Sequence, residues 1–388
     1  MKKIILFTLF FCFWSMVPFD VLAEDKENVD LISGATSGLL MDADTGKIIF
    51  SKDINKKVAI ASMTKMVAQM IIMEKIEEGL IKWNDVVTVS KNAADMGGSQ
   101  IYIAEGEKIT IEDLMKGISM ASGNDATVAM AEVISGSEYK FVALMNKKVK
   151  ELGLKNTYFK NCTGLDEEGH YSTAYDMAII ARELISKHPD ILKFSSIYED
   201  YLREDTEEKF WLVNTNKLVH FYDGADGLKT GHTDAAGYCL AATAKRNGLR
   251  LIAIVLGESN ATIRNNETME LLDYGFSNLR ANILKNAGEV VKKVKLDKAD
   301  SEIVDIVLKD DLVVTELVGD YDRKYEFDVF LDNIKLPIRV GDIVGKIVVY
   351  CDNKKIKDEF LTVNKDVDSL GFLKLFYNEL IDLVLGDF

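Results

Sequence analysis

Apolar and polar positions alternate along the chain with two different periods, one helical and one of strands. Met66, Val67, Met70, Ile71, Met73 and Ile76 recur at helical spacing, and Glu77, Glu78 and Gly79 follow as a stop. Further helices are predicted over Ile111 to Met120, Ala126 to Ile134, Phe141 to Leu152 and Glu267 to Leu279. Another spans Ala174 to Ser186, with Ser172 or Thr173 as its cap and Asp176 in its first turn. Strand-like runs lie between them. Ser37 to Asp42 and Lys47 to Ser51 flank Asp44-Thr45-Gly46 as a hairpin. Val86 to Val89, Phe210 to Val213, Gly237 to Ala244 and Leu251 to Leu256 are strands, and Asn92 to Gln100 is a loop.

From about Lys285 the pattern turns to short β-rich runs. They are Val290 to Val294, Ile303 to Leu308, Leu312 to Leu317, Tyr325 to Leu331, Ile343 to Tyr350 and Glu359 to Val363, separated by Asp, Asn, Lys and Gly. That is the signature of a small all-β domain. The chain therefore reads as an α/β (α+β) domain with a sheet flanked by helices, then an all-β domain. Ser369 to Leu385 is helical again. Lys374, Asn378 and Asp382 share one side of it, and Phe372, Leu373, Phe376, Leu380, Leu383 and Val384 the other. Such a helix either packs on the β domain or lies in a membrane surface.

The first residues carry a separate signal. Lys2 and Lys3 precede an apolar run from Ile4 to Val17, and Val21-Leu22-Ala23 fits a small-residue cleavage site. The run is short for a membrane span. Residues 1–23 are thus expected to be a secretory leader cleaved after Ala23. The remaining ranges are 24–284 for the first domain, 285–365 for the β domain and 366–388 for the tail.

Composition narrows the function. Among 388 residues, 48 % are hydrophobic and 28 % charged, which fits packed domains rather than disorder. The net charge is −15, from 47 basic and 62 acidic residues, which argues against a nucleic-acid partner. Cys12 falls in the leader, and Cys162, Cys239 and Cys351 are far apart, so neither a disulfide framework nor a metal cluster is indicated. Four histidines without a His-Glu-x-x-His pattern argue against a zinc hydrolase. No cofactor or metal is expected.

The candidate chemistry begins at Ala61-Ser62-Met63-Thr64-Lys65. Three residues apart at a helix start, Ser62 and Lys65 share a face. A serine hydroxyl needs a base beside it, and a desolvated lysine can be that base. The Ser62 backbone N–H, free at the helix start, points where an oxyanion can form. The pattern is weak alone, because Ser137 and Lys140 repeat it, and Ser90 and Asn92 repeat the Ser-x-Asn of Ser122 and Asn124. Lys229-Thr230-Gly231 occurs once. The order Ser62-x-x-Lys65, Ser122-Gly123-Asn124, Lys229-Thr230-Gly231 is what gives the set its weight.

With these motifs, the chain resembles the serine D-alanyl-D-alanine carboxypeptidases, the low-molecular-mass penicillin-binding proteins. The resemblance extends to Gly98-Ser-Gln-Ile-Tyr102, Ala121 to Ala126, Gly164-Leu165, His170 to Ala174 and Asp226 to Thr233, and to the β domain and terminal helix. It implies removal of the terminal D-Ala from peptidoglycan stem pentapeptides through a serine acyl-enzyme, with β-lactams as covalent inhibitors. By that resemblance Ser62 is the nucleophile and Lys65 its base, Ser122 relays a proton to the leaving amine, and Asn124 holds Lys65 and the substrate amide. Lys229 adds positive charge, Gly231 admits close backbone approach, and the His232 N–H joins that of Ser62 in an oxyanion hole. Thr230, Thr233 and Arg264, placed near the domain's last strand, bind the terminal carboxylate. His170 is expected to pack in its loop, Asp176 to be a helix-start charge, and Tyr102 to line the cleft or pack.

A DD-endopeptidase or transpeptidase on the same scaffold would carry the same residues. A class A β-lactamase also needs a deacylating glutamate. No Glu-x-x-x-Asn stands between Asn124 and Lys229, and the nearest acidic run is Asp166-Glu167-Glu168. A binding module with a dead site conflicts with the intact Ser62, Lys65, Ser122 and Lys229. An enzyme of this family would work outside the cytoplasm, with the tail as a candidate contact to the membrane surface.

Overall fold

A computed structural model describes residues 30–204, 206–301, 303–319 and 323–371. The leader, and the tail beyond Gly371, lie outside the described residues.

An antiparallel five-stranded sheet forms the centre of the first domain, in the order Ile48–Lys52, Ser37–Asp42, Leu249–Glu258, Gly237–Arg246, Ala225–Thr233. The run Leu251 to Leu256 is apolar without a break because both faces of its strand are covered. Ile252, Ile254 and Leu256 join one core with Leu39, Met41 and Ala241. Leu251, Ala253 and Val255 join a second core with Leu40, Leu240, Leu271 and Leu272. The alternation of the strand thus sends successive side chains into opposite cores. The helix Ala261–Asn278 supplies Leu271 and Leu272 to the second core. The first core is built largely from the helices Lys65–Glu77, Asn124–Ser135, Glu138–Glu151 and Ala174–Lys187.

The Lys65–Glu77 helix differs from the amphipathic element that its spacing suggests. Every residue from Lys65 to Met73 is buried, since neighbouring helices and the sheet close around it. A helix apolar nearly all round belongs inside a domain. Lys65 is therefore fully buried in the protein interior.

The two sequence repeats turn out to be caps. The Ser137 side chain accepts the backbone N–H of Lys140 at the start of its helix, and Lys140 itself is exposed. Ser90 likewise accepts the Ala93 N–H, capping a short helix Lys91–Ala94 inside the stretch expected to be loop. Asp176 sits in the first turn of its helix and accepts the Asn156 N–H and the Thr157 hydroxyl, a structural role.

The C-terminal region is a five-stranded antiparallel sheet in the order Val290–Lys295, Ile303–Leu308, Lys354–Val363, Gly345–Cys351, Tyr325–Leu331. Its core includes Val304, Ile306, Ile347, Val349, Leu361 and Val363. One strand was not anticipated: Leu279–Lys285 leaves the preceding helix and pairs antiparallel with Leu312–Leu317. That helix also starts earlier than expected, at Ala261, where the Asn260 side chain accepts the Ile263 N–H.

Candidate active site

Ser62 lies in a 3₁₀ turn, Ala61–Thr64, that runs directly into the buried helix at Lys65. Lys65 Nζ is 2.8 Å from Ser62 Oγ, 2.6 Å from Asn124 Oδ1 and 2.7 Å from the Thr163 carbonyl oxygen. The roles of these atoms can be assigned. Asn124 Nδ2 donates to the Gly97 carbonyl at 2.7 Å, which turns Oδ1 toward the lysine. Oδ1 and the Thr163 carbonyl can only accept. A neutral amine has two N–H donors for them and one lone pair left, which then faces the Ser62 hydroxyl. Burial lowers the pKa of Lys65 to about 7, against the opposing pull of Cys162 and Asp125.

Asn124 opens its helix behind a π-helical turn, Gly117–Ala121. Between them Ser122 takes a left-handed backbone conformation, φ 62°, unusual for a non-glycine residue. Its hydroxyl is buried and makes no hydrogen bond among the described residues. Such an atom needs a partner, and a substrate is able to supply one. The neighbouring Asp125 carboxylate accepts the N–H groups of Ile101 and Ile103, holding the Gly98 to Tyr102 segment beside the site.

Lys229, Thr230 and Gly231 lie on the edge strand Ala225–Thr233. Lys229 is buried, and its Nζ is 3.0 Å from the Thr230 carbonyl oxygen. Desolvation, then the charges of Lys65 and Arg264, pull its pKa well down. Thr230 donates to the Thr215 hydroxyl at 2.8 Å, and the Thr215 N–H donates to the Met120 carbonyl. The edge strand is thereby tied to the turn that carries Ser122. The close approach permitted by Gly231 is to the nucleophile turn: a Cβ there would stand 2.7 Å from the Ile60 carbonyl oxygen.

The remaining expected residues are spread around this centre. Thr233 donates to Asp166 Oδ1 at 2.7 Å. The His232 imidazole is exposed and lies against the Tyr238 ring, tilted by 32°, with centroids 4.0 Å apart. Arg264 is in the first turn of the Ala261–Asn278 helix, shortly after the strand Leu249–Glu258, and is buried with Nη1 3.4 Å from the Cys239 carbonyl oxygen. Tyr102 is 67 % exposed and meets Phe210 edge-on, so it does not pack into the core. A cleft of about 350 Å³ beside the nucleophile turn is lined by Ala61, Leu165, Asp166, Glu167, Glu168 and His170, among others.

Sequence reasoning missed the groups that hold the lysine in place. The Thr163 and Gly97 carbonyls belong to the backbone and carry no side-chain signature. The glycines beside them were the available signal. At Gly164 φ is +85° and a Cβ would fall 1.9 Å from the Ala61 carbonyl oxygen, so only glycine fits against the Ser62 turn.

Residues 24–260 match the family model described as D-alanyl-D-alanine carboxypeptidase. Residues 282–369 match that of the penicillin-binding protein 5 C-terminal domain. The chain is 45 % identical over 351 residues to the D-alanyl-D-alanine carboxypeptidase DacF of Bacillus subtilis, covering 90 % of each. Among solved structures it is similar to penicillin-binding protein 5 from Haemophilus influenzae, with TM-score 0.66 and 32 % identity over 87 % of this chain and 98 % of that one. It is also similar to penicillin-binding protein D2 from Listeria monocytogenes in its ampicillin-bound form, with TM-score 0.57 and 30 % identity over 63 % of this chain and 98 % of that one.

Proposed function

The chain belongs to the D-alanyl-D-alanine carboxypeptidase family, and on that premise we propose how its own residues perform the hydrolysis. The substrate is a peptidoglycan stem peptide ending in D-Ala-D-Ala. Ser62 Oγ attacks the carbonyl carbon between the two D-alanines while Lys65 takes the hydroxyl proton. The tetrahedral oxyanion is met by the backbone N–H groups of Ser62 and His232. Ser122 passes a proton to the leaving amine, the C–N bond breaks, and D-alanine departs. Water then hydrolyses the acyl-enzyme on Ser62. Lys229, Thr230, Thr233 and Arg264 receive the terminal carboxylate, and Asn124 holds Lys65 and the substrate amide. The observation that carries this reading is the Lys65 amine, 2.8 Å from Ser62 Oγ with both other contacts taken by acceptors.

The same acyl-enzyme can be intercepted by water or by an amine, so the products decide between hydrolysis and transpeptidation. Incubation with a defined stem pentapeptide is expected to yield a tetrapeptide lighter by one D-Ala in the mass spectrum. A cross-linked dimer as the main product would refute the carboxypeptidase reading. Covalent capture by β-lactams follows from the same chemistry, since a strained β-lactam presents Ser62 with a carbonyl whose leaving group stays attached.

We further propose that the chain is exported, loses residues 1–23, and touches the membrane surface through its tail. The Lys2 and Lys3 start with its apolar run supports export. No helix among the described residues is long and apolar enough to cross a membrane. Burial of the tail's apolar face contributes about 25 cal/mol per Å², and its acidic residues do not draw it to anionic lipid, so binding should depend little on salt. Exported protein beginning at Glu24 should co-sediment with liposomes, while a chain truncated before Ser369 stays soluble and active. Recovery of the full mature chain in the supernatant would rule the anchor out.

A further inference from the structure

Thr64 and His170 belong to none of the roles above, yet both are buried, Thr64 within the nucleophile turn and His170 against it. The Lys160 backbone N–H donates to His170 Nδ1 at 3.2 Å. Nδ1 is therefore an acceptor, and the neutral ring carries its proton on Nε2. Nε2 stands 2.8 Å from Thr64 Oγ1. Thr64 Oγ1 in turn is 2.8 Å from the Ala61 carbonyl oxygen. A hydroxyl has a single proton, and the carbonyl can only accept, so the directions are fixed. Lys160 N–H donates to His170, His170 Nε2–H donates to Thr64, and Thr64 O–H donates to Ala61.

The last acceptor gives this chain its meaning. The Ala61 carbonyl and the Ser62 N–H belong to one planar peptide group, so orienting the first orients the second. Ala61 itself has φ 47°, a left-handed conformation that a non-glycine residue keeps only when its surroundings hold it. Thr64 is placed by the helix start and cannot reach that carbonyl from elsewhere. Burial also lowers the imidazole pKa to about 4, so the ring is neutral at neutral pH.

We propose that His170 is a positioning residue for acylation, aiming the Ser62 N–H at the developing oxyanion through Thr64 and the Ala61 carbonyl. This rests on the reading of Ser62 as nucleophile and oxyanion donor. His170 then does more than pack in its loop.

The test is the acylation rate of the full chain by a fluorescent penicillin, scaled to folded protein by circular dichroism, with the adduct mapped in each variant. Thr64→Val keeps the shape and removes the hydroxyl. His170→Phe keeps a ring beside Phe159 and removes both nitrogens. Each is expected to slow acylation by about tenfold to a hundredfold, less than or similar to the effect of deleting an oxyanion donor. The double variant should be no slower than the slower single, because both act through one chain. Thr64→Ser should restore the rate to within about threefold, since it keeps the donor. Wild-type rates in Thr64→Val or in His170→Phe, Thr64→Ser as slow as Thr64→Val, or single losses that multiply in the double would each overturn the proposal. If His170→Phe does not fold, His170→Leu replaces it, and a wild-type rate there overturns the proposal in the same way. Adducts found away from Ser62 in the wild type would instead overturn the underlying reading of the nucleophile.

Discussion

Ser62→Ala is expected to abolish the covalent penicillin adduct and to lower peptide hydrolysis by about a millionfold, the scale seen when a serine nucleophile is deleted. The competing serine is Ser137, whose Ser-x-x-Lys spacing is identical. Ser137 spends its oxygen on the Lys140 backbone N–H, and the Lys140 amine is exposed to water. Ser62 by contrast faces a lysine that burial has brought to about 7. Mass spectrometry of the intact protein after benzylpenicillin, followed by peptide mapping, separates the two. Label on the peptide carrying Ser137, or an adduct that survives Ser62→Ala, would sink the assignment.

The comparison of these two serines shows what a sequence holds and what it withholds. Spacing places both lysines one helical turn after a serine, but burial decides which one is a base. Burial is a property of the packed helix, and the full enclosure of Lys65 to Met73 went beyond the one-sided stripe that their pattern suggests. The central strands were readable because Leu251 to Leu256 is too short for a helix and apolar without a break. The strand Leu279–Lys285 was not, although Leu279, Ala281 and Ile283 alternate with Arg280 and Asn282, because it continues directly from a helical pattern without a Gly or Pro stop. What turns it into a strand is its pairing with Leu312–Leu317, which comes later along the sequence. In the site, side chains announced themselves and carbonyls did not. Lys65 was legible, whereas the Thr163 and Gly97 oxygens that fix its lone pair had no residue type to mark them.

Those oxygens lead to the second large effect, at Lys65. Acylation should follow the neutral amine, so the rate should be near its plateau above pH 8 and fall tenfold per pH unit well below about 7. The sign follows from the direction of the shift. Burial favours the neutral form in the folded protein, so the amine loses its proton far below the ordinary value of 10.5. A shift from 10.5 to about 7 corresponds to roughly 5 kcal/mol against the charged amine, taking about 1.4 kcal/mol per pKa unit. Stability changes in the same direction: as pH falls from 10.5 toward 7, the unfolded chain binds a proton that the folded chain refuses, and the fold loses stability over that window. Lys65→Arg puts a permanent cation in a pocket that keeps its lysine near neutrality, and a guanidinium has no lone pair to give. It should acylate at least a thousandfold more slowly, in line with about 10²–10⁴ for a lost general base plus misplacement of Ser62. The measurement is the penicillin acylation rate from pH 5 to 9 for both proteins. A flat wild-type profile, or an arginine variant that acylates readily at neutral pH, would show that another group takes the Ser62 proton.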